Sequence, residues 1–236
     1  DSLVGGEGND LYVFGHGFGN DVIDNTGGGN DFIMLTQDVR REDLQFTRNG
    51  DSLVLKLTDS DDTLTITDYF KGGDNKLSGF LLTQDSVTEP EYVYVMTEDA
   101  DRYRLDDSRK WHLVTMGGND GIYGTWKEWE GNRNTGWKIV DKSLTKDMYL
   151  DLGDGNDAAA GGSGDDKIYG DYSWIVGTGG DDTIDAGEGD NTVYGGKASD
   201  TIIAGSGDDT ITGDFDDSQS TGAGDYIDAG DGENTI

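Results

Sequence analysis

The sequence predicts an all-β chain of short strands stacked at nine-residue intervals, on three observations: a nonapeptide period, one apolar residue at a fixed place in each period, and an extreme acidic, glycine-rich composition. Of 236 residues, 49 are acidic and 17 basic, giving a formal net charge of -32; Gly numbers 39 and hydrophobic residues are only 33%. Such a chain repels nucleic acid and anionic membrane surfaces and attracts cations. Its low hydrophobicity and high charge oppose unaided folding, so the carboxylates must be neutralised before compaction is favourable. Bound metal achieves this, because the binding free energy of a site created by folding is folding free energy. The sequence has no Cys, which excludes disulfides and thiolate sites. No apolar run is long enough to span a bilayer.

The period is clearest from Leu152 onward, in LGDGNDAAA, GGSGDDKIY, GTGGDDTID, AGEGDNTVY, GGKASDTII and AGSGDDTIT. The frame places Asp157, Asp166, Asp182, Asn191, Asp200, Asp209, Asp225 and Asn234 at one equivalent position. Two residues later come Ala159, Ile168, Ile184, Val193, Ile202, Ile211, Ile227 and Ile236, the inward residues of a thin core in which each strand packs on the strand above it. Glycines supply the turns, where positive φ is needed and backbone carbonyls must come close to an ion.

These segments resemble the nonapeptide repeats of the repeats-in-toxin (RTX) family, with the consensus GGxGxDxUx. The resemblance implies right-handed parallel β-roll (β-helix) blocks, two nonapeptides per coil, with several Ca2+ ions between stacked turns. It assigns as ligands the motif Asp or Asn and glycine-turn carbonyls such as those of Gly162, Gly164, Gly205 and Gly207. Alternate repeats then form two columns, Asp157, Asp182, Asp200, Asp225 and Asp166, Asn191, Asp209, Asn234. Asn keeps an oxygen ligand but loses a charge, so the second column should hold some ions less tightly. The Lys197-Ala198 turn lacks a glycine of the motif. Seven extra residues enter the frame after Ile168 and again after Ile211, each insertion opening on Gly-Asp-aromatic, Gly170-Asp171-Tyr172 and Gly213-Asp214-Phe215; both are expected as loops on one edge of the roll.

A short first block, residues 1–34, repeats the motif less regularly and places Asp10, Asp21 and Asp31 at the ligand position, with Tyr12, Ile23 and Ile33 inward. Residues 35–90 are expected as an antiparallel β cap, with an Asn49-Gly50 hairpin signal and a third strand through Leu64 and Ile66. The stretch 20–70 also resembles a domain that accompanies such repeats in secreted toxins, a likeness that implies no activity. Residues 91–149 hold an isolated repeat copy with Asp120 and four Trp, Trp111, Trp126, Trp129 and Trp137, among many cations. Those Trp either fill a small core or form a ligand surface for a host glycan or receptor. The second roll block is 150–236.

The chain starts at Asp1 and stops at Ile236 inside a repeat, as expected of a piece of a longer protein. HExxH and GxSxG are absent, and the only His are His16 and His112, so no enzyme is expected. The sole Pro, Pro90, follows Glu89, leaving no Asp-Pro bond for self-cleavage. The expectation is a secreted, extracellular module that folds on calcium outside the cell and serves type I secretion of a large toxin. Host attachment is the alternative.

Overall fold

Short strands separated by glycine turns have few ways to satisfy their backbone groups other than pairing with the equivalent strand one coil away, and that pairing organises the computed structural model. The structure describes residues 1–84, 91–96, 101–105, 111–132, 136–171, 179–214 and 224–236, with backbone only over 126–132 and 136–142. The described chain forms two units, Asp1–Val95 and Met96–Ile236.

In the first unit, β1 (Ser2–Val4), β2 (Leu11–Phe14), β3 (Asn20–Asp24) and β4 (Phe32–Leu35) alternate between two sheets. β1 pairs parallel with β3, and β2 with β4. Next come β5 (Leu44–Asn49), β6 (Ser52–Leu57), β7 (Thr63–Ile66), β8 (Gly79–Leu82) and β9 (Glu91–Val95). β5 and β6 are the expected hairpin, with Gly50 in its turn at φ 63°. β7 is antiparallel to β6 but parallel to β3, and β8 parallel to β4. The segment expected as a separate cap thus continues the coils of residues 1–34, because the inward Ile23 and Ile33 extend directly onto Ile66 and Phe80. Phe46, Leu53, Leu55, Leu57, Leu64, Ile66 and Phe80 are buried around this junction, a conventional apolar core.

The second unit holds β10 (Arg102–Arg104), β11 (Trp111–Val114), β12 (Gly121–Tyr123), β13 (Thr125–Asn132), β14 (Gly136–Ser143), β15 (Met148–Asp151), β16 (Ala158–Gly162), β17 (Lys167–Tyr169), β18 (Thr183–Gly187), β19 (Thr192–Gly196), β20 (Thr201–Ile203), β21 (Thr210–Asp214) and β22 (Tyr226–Asp228). One parallel sheet runs β10-β12-β16-β18-β20-β22, and the other contains β11-β15-β17-β19-β21 in that order. In the first, Ile122, Ala159, Ile184, Ile202 and Ile227 are in register. In the second, Leu113, Leu150, Ile168, Val193 and Ile211 are in register. All of these except Ile227 are buried. Within the segment expected as non-repeat, β10, β11, β12 and β15 therefore belong to the roll. Among the described strands, β13 and β14 leave the coils, as a two-stranded antiparallel ribbon inserted between β12 and β15. The two insertions lie between β17 and β18 and between β21 and β22; residues 172–178 and 215–223, on which the expectation of loops on one edge falls, lie outside the described residues.

Candidate metal centre

The two expected columns stand in the structure, tied by side chain to backbone bonds. On one edge Asp120 N–H donates to Asp157 Oδ1 at 2.7 Å, Asp157 N–H to Asp182 at 2.8 Å, Asp182 N–H to Asp200 at 2.9 Å and Asp200 N–H to Asp225 at 3.0 Å. On the other edge Met148 N–H donates to Asp166 Oδ1 at 2.8 Å, Asp166 N–H to Asn191 at 2.9 Å, Asn191 N–H to Asp209 at 2.8 Å and Asp209 N–H to Asn234 at 2.8 Å. The acceptor always belongs to the later coil. A second, exposed ladder runs oppositely through the preceding residues: Asp190 N–H donates to Asp165 Oδ1, Asp208 N–H to Asp190 and Ser199 N–H to Asp181. This outer ladder was not foreseen, although an Asn or Asp recurs before the motif Asp at the same period.

The inner ladder uses one oxygen of each carboxylate. The second oxygens of Asp157, Asp182, Asp200 and Asp209 are buried and accept no hydrogen bond among the described residues. Two of them lie against glycine backbone: a Cβ at Gly195 would run into Asp200 Oδ2, and one at Gly170 into Asp182 Oδ2. Turn glycines also stack on the carbonyl one coil back, Gly205 over Gly187 and Gly207 over Gly189, at φ 94° and 137°. The Gly162 carbonyl accepts Glu188 N–H and that of Gly205 accepts Asp231 N–H, whereas the Gly164 and Gly207 carbonyls accept no bond among the described residues. Ala198 completes its turn by adopting φ 72° in place of glycine.

Buried carboxylate oxygens without donors are costly, and loss of water raises the acid pKa. Burial pushes Asp182 up to about 9, Asp157, Asp166 and Asp200 to about 7, and Asp120 to about 6. Asp209 is raised for the same reason. The donor set is all oxygen, from carboxylates, an amide oxygen and backbone carbonyls, which is the set a hard divalent ion takes. The residues therefore fit calcium, whose charge would replace the missing water.

The motif residues are not equivalent. Asp166 Oδ2 is taken by Gly162 N–H at 2.9 Å, and Asn191 Nδ2 donates to the Gly189 carbonyl at 3.0 Å. In the first unit, Asp10 N–H donates to Asp31 Oδ1 at 2.8 Å, but Asp31 Oδ2 accepts Asn25 Nδ2 at 3.0 Å, leaving Asp10 Oδ2 as the buried oxygen without a donor. Asp21 Oδ1 lies 2.5 Å from the Asp1 nitrogen. Asp62 closes a turn, accepting Gly17 N–H at 2.9 Å and Gly19 N–H at 2.6 Å, and these bonds lower its pKa. Here protein donors do much of what an ion would do in the second unit.

Trp111 is 6% exposed and edge-on to Tyr103 at 5.9 Å, so it is a packing residue rather than part of a ligand surface. The side chains of Trp126, Trp129 and Trp137 lie outside the described residues. His16 bridges Asp38 at 3.1 Å and Asp59 at 2.7 Å, which raises its pKa, chiefly through the bond to Asp59. Two further buried carboxylates escaped sequence reasoning, Asp151 and Asp171. Asp on a strand end or at the start of an inserted loop reads as surface, and neither carries the motif.

The RTX calcium-binding nonapeptide repeat family matches in four copies, over residues 151–172, 174–202 and 189–219. The iron-regulated protein FrpA of Neisseria meningitidis serogroup C is 38% identical over 63 residues, covering 25% of this chain and 6% of FrpA. The extracellular lipase LipA of Serratia marcescens aligns over 90% of this chain and 32% of its own at 15% identity, with a TM-score of 0.23. The chain thus spans a small part of either protein. Residues 151–219 carry RTX calcium-binding nonapeptide repeats.

Proposed function

We propose that the chain is a calcium-operated folding module of a large secreted toxin, self-repelling in the low-calcium cytosol and folded outside the cell after type I export. The observation that carries this reading is the set of buried second oxygens on Asp157, Asp182 and Asp200 in one column and Asp209 in the other. Asp120, Asp225, Asp166, Asn191 and Asn234 complete the columns, and the Gly164 and Gly207 carbonyls add ligands at the turns. Asp10, Asp21 and Asp31 contribute a weaker set in the first unit. Extracellular calcium modules work at dissociation constants of about 10⁻⁴ to 10⁻³ M, which matches export from a calcium-poor compartment. The segment acts by binding and not by catalysis. Its likeness to a small part of FrpA supports a long parent protein.

The test is circular dichroism of chelator-treated protein titrated with calcium, with magnesium as the control. A cooperative gain of β signal with calcium alone is expected. A chain equally folded in chelator would overturn the reading.

A second reading, attachment to a host glycan or receptor, draws on one observation: β13 and β14 form a sheet of their own outside the coils. Excising residues 125–143 should then abolish cell or glycan binding while calcium-dependent folding persists.

A further inference from the structure

The motif columns do not account for every buried acid. Asp151 ends β15 at 1% exposure, and both of its carboxylate oxygens accept no hydrogen bond among the described residues. It lies opposite Tyr169 in the β15–β17 register. Two residues beyond Tyr169 is Asp171, 3% exposed, with Oδ1 also lacking a donor. Side chains at alternate strand positions share a face. The inward Leu150 and Ile168 are in register, which sets Asp151 and Tyr169 on the opposite face of their strands, and Asp171 follows just past the end of β17. Neither residue occupies the motif position of the repeat.

Asp171 is held in place. Its Oδ2 accepts Lys197 N–H at 2.7 Å, and it fills a cradle that side chains at Gly179 and Gly196 would occupy, with a Cβ built at either falling 2.6 or 2.5 Å from Oδ2. Fixing one oxygen aims the other. Asp171 stands where the neighbouring coil has Gly196, so an acid replaces a motif glycine at the opening of the first insertion. Among the described residues, the charged groups acting with it are Asp151, Asp154, Asp157, Asp182 and Asp200, and the cation Lys197. Two carboxylates buried next to each other with three free oxygens form an arrangement that only a proton or a cation relieves.

We infer that Asp151 and Asp171 form an additional divalent-cation site in the second unit, beside the turn column of Asp157, Asp182 and Asp200 but built from acids outside the motif, taking a hard ion such as calcium through carboxylate oxygens. The site rests on the calcium-module reading and adds to it. It ties Asp171 to the coil before it through Asp151.

The test counts calcium ions retained by the folded chain in native mass spectrometry at neutral pH, for wild type, Asp151→Asn, Asp171→Asn and the double variant. Asp185→Asn, on an exposed strand position, controls for charge. Loss of one ion in each single variant, with no further loss of this ion in the double, is expected, and Asp185→Asn should keep the wild-type count. If wild type binds calcium and Asp151→Asn binds the same number, the turn sites stand and this site does not. If wild type retains none, both fail. A calcium anomalous-difference map of wild-type crystals reads the same point without a variant: a peak between Asp151 and Asp171 supports the site, and its absence overturns it.

Discussion

Replacing Asp182 with Asn should stabilise the metal-free protein while weakening its response to calcium. Asp182 sits mid-column, its Oδ1 holding Asp157 N–H and its Oδ2 buried without a donor. Its pKa is raised from 3.8 to about 9, first by burial and then by Asp171, Asp157 and Asp200. A raised acid pKa means stability that is complete below the unfolded value and is lost as pH climbs to the folded one. At pH 7 the folded state must keep a proton that the unfolded chain has released, at a cost of about 4 kcal/mol. Asn keeps the Oδ1 acceptor and carries no charge; Asn191 already fills the equivalent place in the other column, with Nδ2 bonded to Gly189. In chelator, folding driven by a stabilising osmolyte and followed by circular dichroism should favour the variant over wild type by up to about 4 kcal/mol at pH 7. The advantage should shrink toward zero near pH 4. In calcium the order reverses, because a charged ligand has been lost. A variant less stable than wild type in chelator at both pH values would refute the account of Asp182 as an unsatisfied buried charge.

Other outcomes follow from the turns and the two units. Ala198→Gly should raise stability in calcium by about 1 kcal/mol, read from thermal unfolding, since Ala198 is held at φ 72° where a side chain is strained. Gly205→Ala should raise the calcium midpoint and cost more than the roughly 1–2 kcal/mol of backbone strain alone, because its Cβ would strike the Gly187 carbonyl. Hydrogen exchange in chelator should leave β5 to β7 protected, around Phe46, Leu55 and Leu64, while β16 to β21 exchange freely; calcium should protect both.

How much of this was legible depended on which residues carried a period. The column Asp157, Asp182, Asp200 and the inward Ile184 and Ile202 recur at fixed spacing, so both the roll and its candidate ligands could be read. β11 and β15 could not, because no glycine motif precedes Trp111 or Met148; their place is set by Leu113 and Leu150 falling in register with Ile168. The turn after β11 was legible only in part: Gly118 and Asp120 carry the motif, but Met116 adopts φ 73° where the repeat would place a glycine. Asp151 and Asp171 are buried by neighbours distant in sequence, which no local pattern announces.

The two opposed ladders mean that neighbouring residues guard different parts of the chain. Asp166 secures the Met148 amide, 18 residues upstream, while Asp165 beside it secures Asp190, 25 residues downstream. Damage at a turn should therefore surface elsewhere: loss of the inner acid frees the preceding coil, loss of the outer one frees the following coil. Each coil is locked from both directions by residues it does not itself contain, so a cut or mutation in one turn leaves a scar on each side of it.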